Sequence, residues 1–535
     1  MITVNDLRKH LRIICAVMVA SLSVACSGST SQISLFGSNG SVTFSMTYGQ
    51  PSSEAAVGNV VLFADTSAVT ATAWLWEFGD GVTSDQPTTG HIYLTAGSYT
   101  VRLTRSTASG LSSGSRVIQV AARSASLSNF SMVETISDRA QLTTLGFDGL
   151  ALMTGNLAAQ SFFPPGKLAD YTGFQYLRDN DADHMGHNTS FLTRVACNVL
   201  FILNDAQLAK LKDLAINQQS QVQEYGYRRF TLMQAFRDLL DGIGSNAALN
   251  LTKVKAVSRD LYVLDGQVAF DRAYLYAEIY SMLDTAQRAY LDSMKGKGWA
   301  SWPDIKEEQV ADKLASLPQG TRTLMMTYAG DIYSWYVGSV DADVYFCPER
   351  HGTYFGSFYM KDAPAMGHEG YNIDEQLTAV AGSALTDANK GYVTPNQADF
   401  VSNLVALQRD NLYSGERNIV QLRTEISLSL RQLQSSLLNS QQIKDRVLLL
   451  SALYGELDGE NNYHYATGFA RLYANLSSQQ KQLLSELRQS ILSGTYADGA
   501  PFDFTTATTY YLYSEPIVDL SVLAVYMSTA MDLFL

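Results

Sequence analysis

The sequence predicts a multidomain chain, a small β-sandwich followed by a larger, mainly α-helical and internally duplicated domain. Three observations carry that expectation. Residues 41–122 alternate apolar and polar side chains between turn signals, the pattern of half-buried strands. From about residue 138 the apolar spacing becomes helical. Slid along by 183 residues, the helical part then matches itself, with Phe163 landing on Phe346 and Tyr176 on Tyr359.

The first residues stand apart from the folded chain. Arg8, Lys9 and Arg12 precede or open an apolar run, Ile13–Val24, that is too short to span a bilayer and ends in small residues. Leu22-Ser23-Val24-Ala25-Cys26 resembles a bacterial lipobox, with Leu one step further from the Cys than is usual. The resemblance implies a lipoprotein signal peptide over residues 1–25 and lipidation of Cys26. Attachment to the outer membrane or cell surface would then run through the N-terminal lipid. Residues 26–40 are rich in Ser and Gly and read as a flexible tether.

The whole sequence carries a net charge of −13. Losing Arg8, Lys9, Arg12 and Asp6 with the signal peptide removes three positive charges and one negative, which takes −13 to −15. So acidic a chain is not expected to bind nucleic acid. Cys197 and Cys347 remain as thiols, and their spacing does not say whether they pair. Residues 496–535 end in an apolar stretch interrupted by Asp519 and Asp532, which reads as a packed segment and not a membrane span.

Within residues 41–122, Val60–Phe63 and Tyr99–Leu103 read as strands and Trp76 as the core anchor. Gly79-Asp80-Gly81 is a tight-turn sequence, because Gly tolerates positive φ and Asp bonds its own backbone. Together with Trp76-Glu77-Phe78, Pro87, His91-Ile92-Tyr93 and Gly97-Ser98-Tyr99-Thr100-Val101, this stretch is similar to the PKD domain family. Glu77 stands where the family usually has Asp. The resemblance implies an Ig-like sandwich used as a spacer or adhesive module on exported proteins. Such modules accompany several kinds of enzyme and adhesin, so the module selects no activity. His91 is expected to hold the fold.

The self-match defines two helical repeat units, 138–305 and 321–495. Pro165, Tyr171, Gly173 and Asp179 fall on Pro348, Tyr354, Gly356 and Asp362. Met185-Gly186-His187 matches Met366-Gly367-His368, and Leu264-Asp265-Gly266 matches Leu457-Asp458-Gly459. Four pentads begin at Leu203, Leu283, Val393 and Leu476. Each places an N-cap residue (Asn204, Asp284, Thr394, Ser477) three positions before Gln, the pattern of a capping box, so each should start a helix. The helices opened by the first and third should run to about Leu240 and Leu438. The pentads also resemble the LTxxQ motif of Spy- and CpxP-like periplasmic proteins, which implies an all-helical chaperone cradle.

The repeated Tyr-x-basic-Asp and Met-Gly-His elements supply the candidate ligand-binding residues: Tyr171, Tyr176, Arg178, Asp179 and His187, with Tyr354, Tyr359, Lys361, Asp362 and His368. Imidazole ligates metals and titrates near neutrality, so His184, His187, His351 and His368 form a candidate transition-metal set. Glu460 and His464 are one helical turn apart, a second spacing suited to a metal. Asp265 and Asp458 are read as N-caps. No HExxH, nucleophile elbow, phosphate loop or dinucleotide fingerprint is present.

The composite expectation is an exported, lipid-anchored binding protein of the cell envelope. Its PKD-like spacer would present a duplicated helical domain that holds an envelope protein or polysaccharide in a Tyr-rich cleft. The alternatives are a metal- or His-dependent hydrolase or oxidase acting on an extracellular polymer, and a Spy-like chaperone.

Overall fold

The computed structural model describes residues 42–48, 55–122, 136–154, 162–163, 170–179, 189–243, 248–345, 354–355, 381–492, 515–516 and 519–535. Two sheets form the sandwich. One has the order β1 (Phe44–Tyr48), β2 (Val60–Asp65), β5 (Thr88–Ile92). The other has the order β4 (Thr83–Ser84), β3 (Ala73–Glu77), β6 (Gly97–Thr107), β7 (Gly110–Val120). All of these pairings are antiparallel. Trp76 is fully buried between the sheets with Phe63, Phe78, Val101 and Leu103, as alternation required. Its indole donates to the Gln86 carbonyl. The tight turn uses positive φ at Gly79 (91°) and Gly81 (102°).

Among the described residues, the helical domain repeats four helical stretches in order: 138–153 at 319–337, 205–240 at 395–431, 251–282 at 440–474 and 285–294 at 478–492. The first copy contains α1 (Asp138–Met153), α2 (Phe174–Asp179), α3 (Thr189–Ile202), α4 (Asp205–Leu240), α5 (Leu251–Met282) and α6 (Thr285–Met294). The second contains α7 (Gln319–Val337), α8 (Val340–Val344), α9 (Pro395–Arg409), α10 (Ile419–Arg431), α11 (Ser440–Ala474) and α12 (Ser478–Leu492). A last helix, α13 (Leu520–Ser528), leads into a 3-10 turn, Thr529–Phe534. A two-residue ladder joins β8 (Phe162–Phe163) to β9 (Glu515–Pro516).

All four pentads cap helices. Asn204, Asp284 and Thr394 make complete capping boxes with Gln207, Gln287 and Gln397. Ser477 and Gln480 exchange the same two bonds, at 2.9 and 3.2 Å. The glutamines then do more than cap. Gln207 Nε2 donates to the Met282 carbonyl, just before the next cap, and Gln287 Nε2 donates to the Ile202 carbonyl; the two amides also bond each other. Gln397 and Gln480 repeat this with the Asn475 and Tyr392 carbonyls. Each pair clamps the start of one helix to the end of another.

The copies differ at one long helix. α4 runs unbroken to Leu240, as expected, but its counterpart does not continue to Leu438. It breaks into a π turn, Asp410–Ser414, and resumes at Ile419 as α10. Asn204 and Thr394 are 190 residues apart, whereas Arg229 and Arg423, and again Arg237 and Arg431, are 194 apart. The second copy therefore carries four extra residues between these points, where the helix is interrupted by the π turn and by the connection to Ile419.

The packing crosses between copies. α5 and α11 lie against each other along their length as the central antiparallel pair. α7, the first long helix of the second copy, packs on α3 and α4 of the first, while α1 packs on α9 and α11 of the second. Apolar side chains from both copies form one continuous core.

Candidate functional site

The α5–α11 seam is built on small residues. Gly455 lies so close to α5 that a β-carbon there would sit 2.7 Å from the Ser258 carbonyl oxygen, and Gly266, Gly459 and Ser451 line the same contact. Into this seam project Asp265 and Asp458, both buried. They are not N-caps: each lies in mid-helix, and the Leu-Asp-Gly signal reflects close helix approach instead of a turn. Tyr262 donates its hydroxyl to Asp458 Oδ2 at 2.8 Å and packs its ring on Tyr454 at 4.6 Å. Tyr354 reaches the same place, its hydroxyl 3.4 Å from Ser258 Oγ. Burial drives both the Tyr262 and the Tyr354 hydroxyl well above the ordinary phenol range. Arg229 is fully buried nearby; burial pulls its guanidinium down to about 9 against the opposing influence of Tyr225 and Tyr354.

A second polar centre forms where α7 of the second copy packs on α4 and α5 of the first. Gln218 Oε1 accepts from Tyr328 at 2.7 Å and from Arg272 at 3.2 Å, and Arg272 sits 4.5 Å from the centre of the Tyr328 ring. Tyr276 donates to Asp331 at 3.1 Å. The equivalent place, where α1 of the first copy meets α9 and α11 of the second, keeps Gln408 and Asp148 at the positions of Gln218 and Asp331 but has Tyr465, Phe469 and Leu145 for Arg272, Tyr276 and Tyr328. Gln408 is buried and, among the described residues, neither of its amide atoms is bonded.

The sequence candidates separate. Tyr354 joins the seam between copies. Tyr171 is buried elsewhere, its carbonyl 3.4 Å from Ser427 Oγ of α10. Tyr176 is half-buried on Tyr345, ring centres 5.5 Å apart, and Arg178 is buried. Tyr171 and Tyr354 are 1% and 3% exposed, so neither ring lines an open cleft. Asp179 ends α2, with its side chain outside the described residues. His184, His187, His351, Tyr359, Lys361, Asp362 and His368 also lie outside them, as does Cys347. Among the described residues no three His, Cys, Asp or Glu side chains gather as metal ligands. Glu460 pairs with Lys255, and burial lowers the His464 ring below its ordinary value. Cys197 is a buried free thiol.

Ser258, Tyr262, Arg229 and the centre around Arg272 were not foreseen. Only the repeated Asp-Gly of the self-match pointed toward the seam. The other residues come together through the crossed packing, which leaves no local pattern.

The sandwich does not stand free of the helical body. The helix break presents the Glu416 carbonyl to Thr83, whose N–H donates at 3.0 Å. Gln421 Nε2 donates to Thr89 Oγ1, to the Gly90 carbonyl and to Glu425 Oε1. His91 bonds Asp80 at 2.7 Å through Nε2, stacks on Phe78 at 4.2 Å and turns Nδ1 toward Gln421. His91 thus holds the fold, as expected, and also faces the neighbouring domain. Arg417 spans Asp85 and the fully buried Glu425, 3.6 Å away. Burial raises the Glu425 carboxyl above the usual carboxylate range, while Arg417 opposes the rise. Val60 and Ile92 close an apolar cluster with Val344 and Tyr345. Beside His91, Asn418 and Tyr413 lies a gap of ≈ 20 Å³, room for one ordered water.

Residues 47–122 match the PKD domain family model, and this part of the chain is a PKD domain. Among solved structures, the PKD1 domain of the Vibrio cholerae metalloprotease PrtV is similar at 27% identity. That match covers 15% of this chain and 94% of that one, with a TM-score of 0.13. The PKD domain of the human VPS10 domain-containing receptor SorCS2 is similar at 20% identity, covering 19% and 94%, with a TM-score of 0.14. No curated protein matches the chain. PKD domains occur in extracellular and cell-envelope proteins, so the sandwich is an extracellular type of module. Among the described residues no helix is long and apolar enough to cross a membrane.

Proposed function

We infer that this is an exported binding protein of the cell envelope, anchored by lipid on Cys26, whose PKD domain and duplicated helical body act as one docked unit. The carrying observation is the PKD domain itself, fixed to α10 by the Gln421 and Arg417 contacts. A module of an extracellular type, held by buried polar bonds, suits a rigid presenting surface better than a swinging spacer. The ligand class is an envelope protein or polysaccharide. The two buried polar centres serve to fix the helical scaffold, since fully enclosed networks specify a unique packing.

The test is fractionation and co-sedimentation. Wild-type protein should partition with membranes and Cys26→Ser with the soluble fraction. The purified mature protein should sediment with isolated envelope polysaccharide or crosslink to an envelope protein. Soluble wild-type protein, or absence of both interactions in a folded sample, would overturn the reading.

A further inference from the structure

The helical body covers one side of the sandwich and leaves the other open. On the covered side, Thr83 of β4 bonds the Glu416 carbonyl, and β5 packs on α10, where Gln421 reaches the Gly90 carbonyl. On the opposite side β1 lies over β7: Arg116 Nη1 donates to the Phe44 carbonyl at 2.9 Å, and a β-carbon on Gly114 would lie 3.1 Å from that of Val42. β7 ends its sheet, with β6 as its neighbour. The direction of its backbone groups is fixed at Ala121. There the N–H donates to the Ala55 carbonyl at 2.9 Å and the carbonyl accepts from the Val57 N–H at 3.0 Å, both on the side away from β6. Alternate residues share that direction, so Leu111, Ser113, Ser115, Val117 and Gln119 also turn N–H and C=O outward. Among the described residues these outward groups meet no backbone partner. Ser113, Ser115, Val117 and Gln119 are exposed, Val117 at 58%.

An open edge is ordinarily guarded by a lysine, a proline, a bulge or a very short strand. β7 has none of these. It runs 11 residues in unbroken register with β6. Its single charge, Arg116, is drawn back over β1, with the guanidinium 5.7 Å from the centre of the Phe44 ring. The edge is also complementary to itself. In an antiparallel pairing that sets Gly114 against Gly114 of another molecule, Val117 falls opposite Leu111 and Ser113 opposite Ser115. These are the outward-bonding positions, so each facing pair exchanges both backbone bonds. The exposed Val117 then gains an apolar cross-strand neighbour. Arg116 faces Ser112, so no like charges are opposed.

We propose that β7 is a self-association edge, through which two molecules of this chain join β7 to β7 in antiparallel pairing about a two-fold axis at Gly114. The two four-stranded sheets become one continuous sheet. The helical bodies lie at its opposite ends, because each covers the far side of its own sandwich. The pairing therefore leaves both bodies free to engage ligand.

The test uses the whole mature chain carrying Cys26→Ser, sedimented at about 1–100 µM. The protein should pass from monomer to dimer across this range. Val117→Lys should raise the dimer dissociation constant at least about tenfold. Ser115→Pro, which removes an outward N–H and no bond to β6, should do the same. Leu111→Cys in one sample and Val117→Cys in another should form a disulfide on mixing and oxidation, read by peptide mass, while neither sample should crosslink to itself at these positions. Monomers throughout would overturn the proposal. If an unrelated extended peptide then binds and Val117→Lys blocks it, the edge belongs to a foreign strand instead. Dimers that both edge variants leave equally strong, each variant being folded by circular dichroism, would place the contact elsewhere and overturn it as well. Should an edge variant fail to fold, the mixed disulfide decides: its formation supports the pairing, and its absence from a dimeric mixture overturns it.

Discussion

Gly266 faces Ser451 across the α5–α11 seam so closely that a β-carbon on Gly266 would lie 2.9 Å from the Ser451 β-carbon. Gly459 meets Ser258 in the same way, at 2.7 Å. Both glycines sit in mid-helix, where Ala would ordinarily be favoured by about 1 kcal/mol. Here the sign should reverse. Gly266→Ala and Gly459→Ala are each expected to cost about 1–3 kcal/mol in chemical unfolding through overpacking. Ser451→Gly should recover part of the Gly266→Ala loss. A stabilising Gly→Ala change would show that the helices do not approach as described.

The glutamine clamps should be worth more in the first copy than in the second. Gln207 is fully buried, whereas Gln397 and Gln480 are half-buried. Gln207→Ala strands buried carbonyls and is expected to cost about 2 kcal/mol, against about 1 kcal/mol for Gln397→Ala. A double-mutant cycle of Gln207→Ala with Gln287→Ala should return a coupling of about 1 kcal/mol, since the two amides bond each other. Additive losses would remove the clamp.

Stability should fall as pH rises through neutrality. Burial pushes the Asp331 carboxyl up to about 7 from an ordinary 3.8, against the pull of Arg272. Its folded value lies above its unfolded one, so its stabilising contribution is complete below the unfolded value and is lost as pH rises through about 7. The melting temperature of wild type relative to Asp331→Asn should be more favourable near about pH 5 than near about pH 8. Parallel pH curves for the two proteins would refute this.

Undocking the sandwich should split one unfolding transition into two. Gln421→Ala removes bonds to Thr89 and Gly90, and Arg417→Ala leaves Glu425 buried without its cation. Calorimetry of wild type is expected to give one cooperative transition over both domains. The double variant should give a separate sandwich transition and faster proteolysis between residues 122 and 138. Two transitions already present in wild type would mean that the junction does not couple the domains.

The native Cys197 thiol should resist alkylation. Burial raises it to about 12, and the chain encloses it completely. Iodoacetamide at about pH 8 should label Cys197 only after unfolding, read by peptide mass. Rapid labelling of the folded protein would contradict its burial.

Some of this was legible because its physics is local. A capping box needs only an N-cap residue and a Gln three positions on, so all four helix starts could be read from five residues each. Trp76 and the Gly79–Gly81 turn were similarly evident from alternation and positive-φ chemistry. The repeat was visible because the same residues recur in the same order. What stayed hidden depends on partners distant in sequence. Nothing near Gln207 says that its spare N–H bonds reach Met282, and nothing near Asp458 says that Tyr262 will donate to it. The break at Asp410–Ser414 was missed because the apolar period continues on either side. The register slip shows only when Arg423 and Arg431 are set against Arg229 and Arg237.

The crossing of α1 and α7 into opposite copies has a consequence for ancestry and for dissection. A lone repeat would have its leading arm extended and the cradle for that arm empty, so its stable form would be a pair of identical chains, each lending an arm to the other. Joining two such genes end to end preserves that embrace within one polypeptide. Severing the chain between residues 305 and 321 should therefore release two fragments that remain clasped, and neither should fold when made without the other.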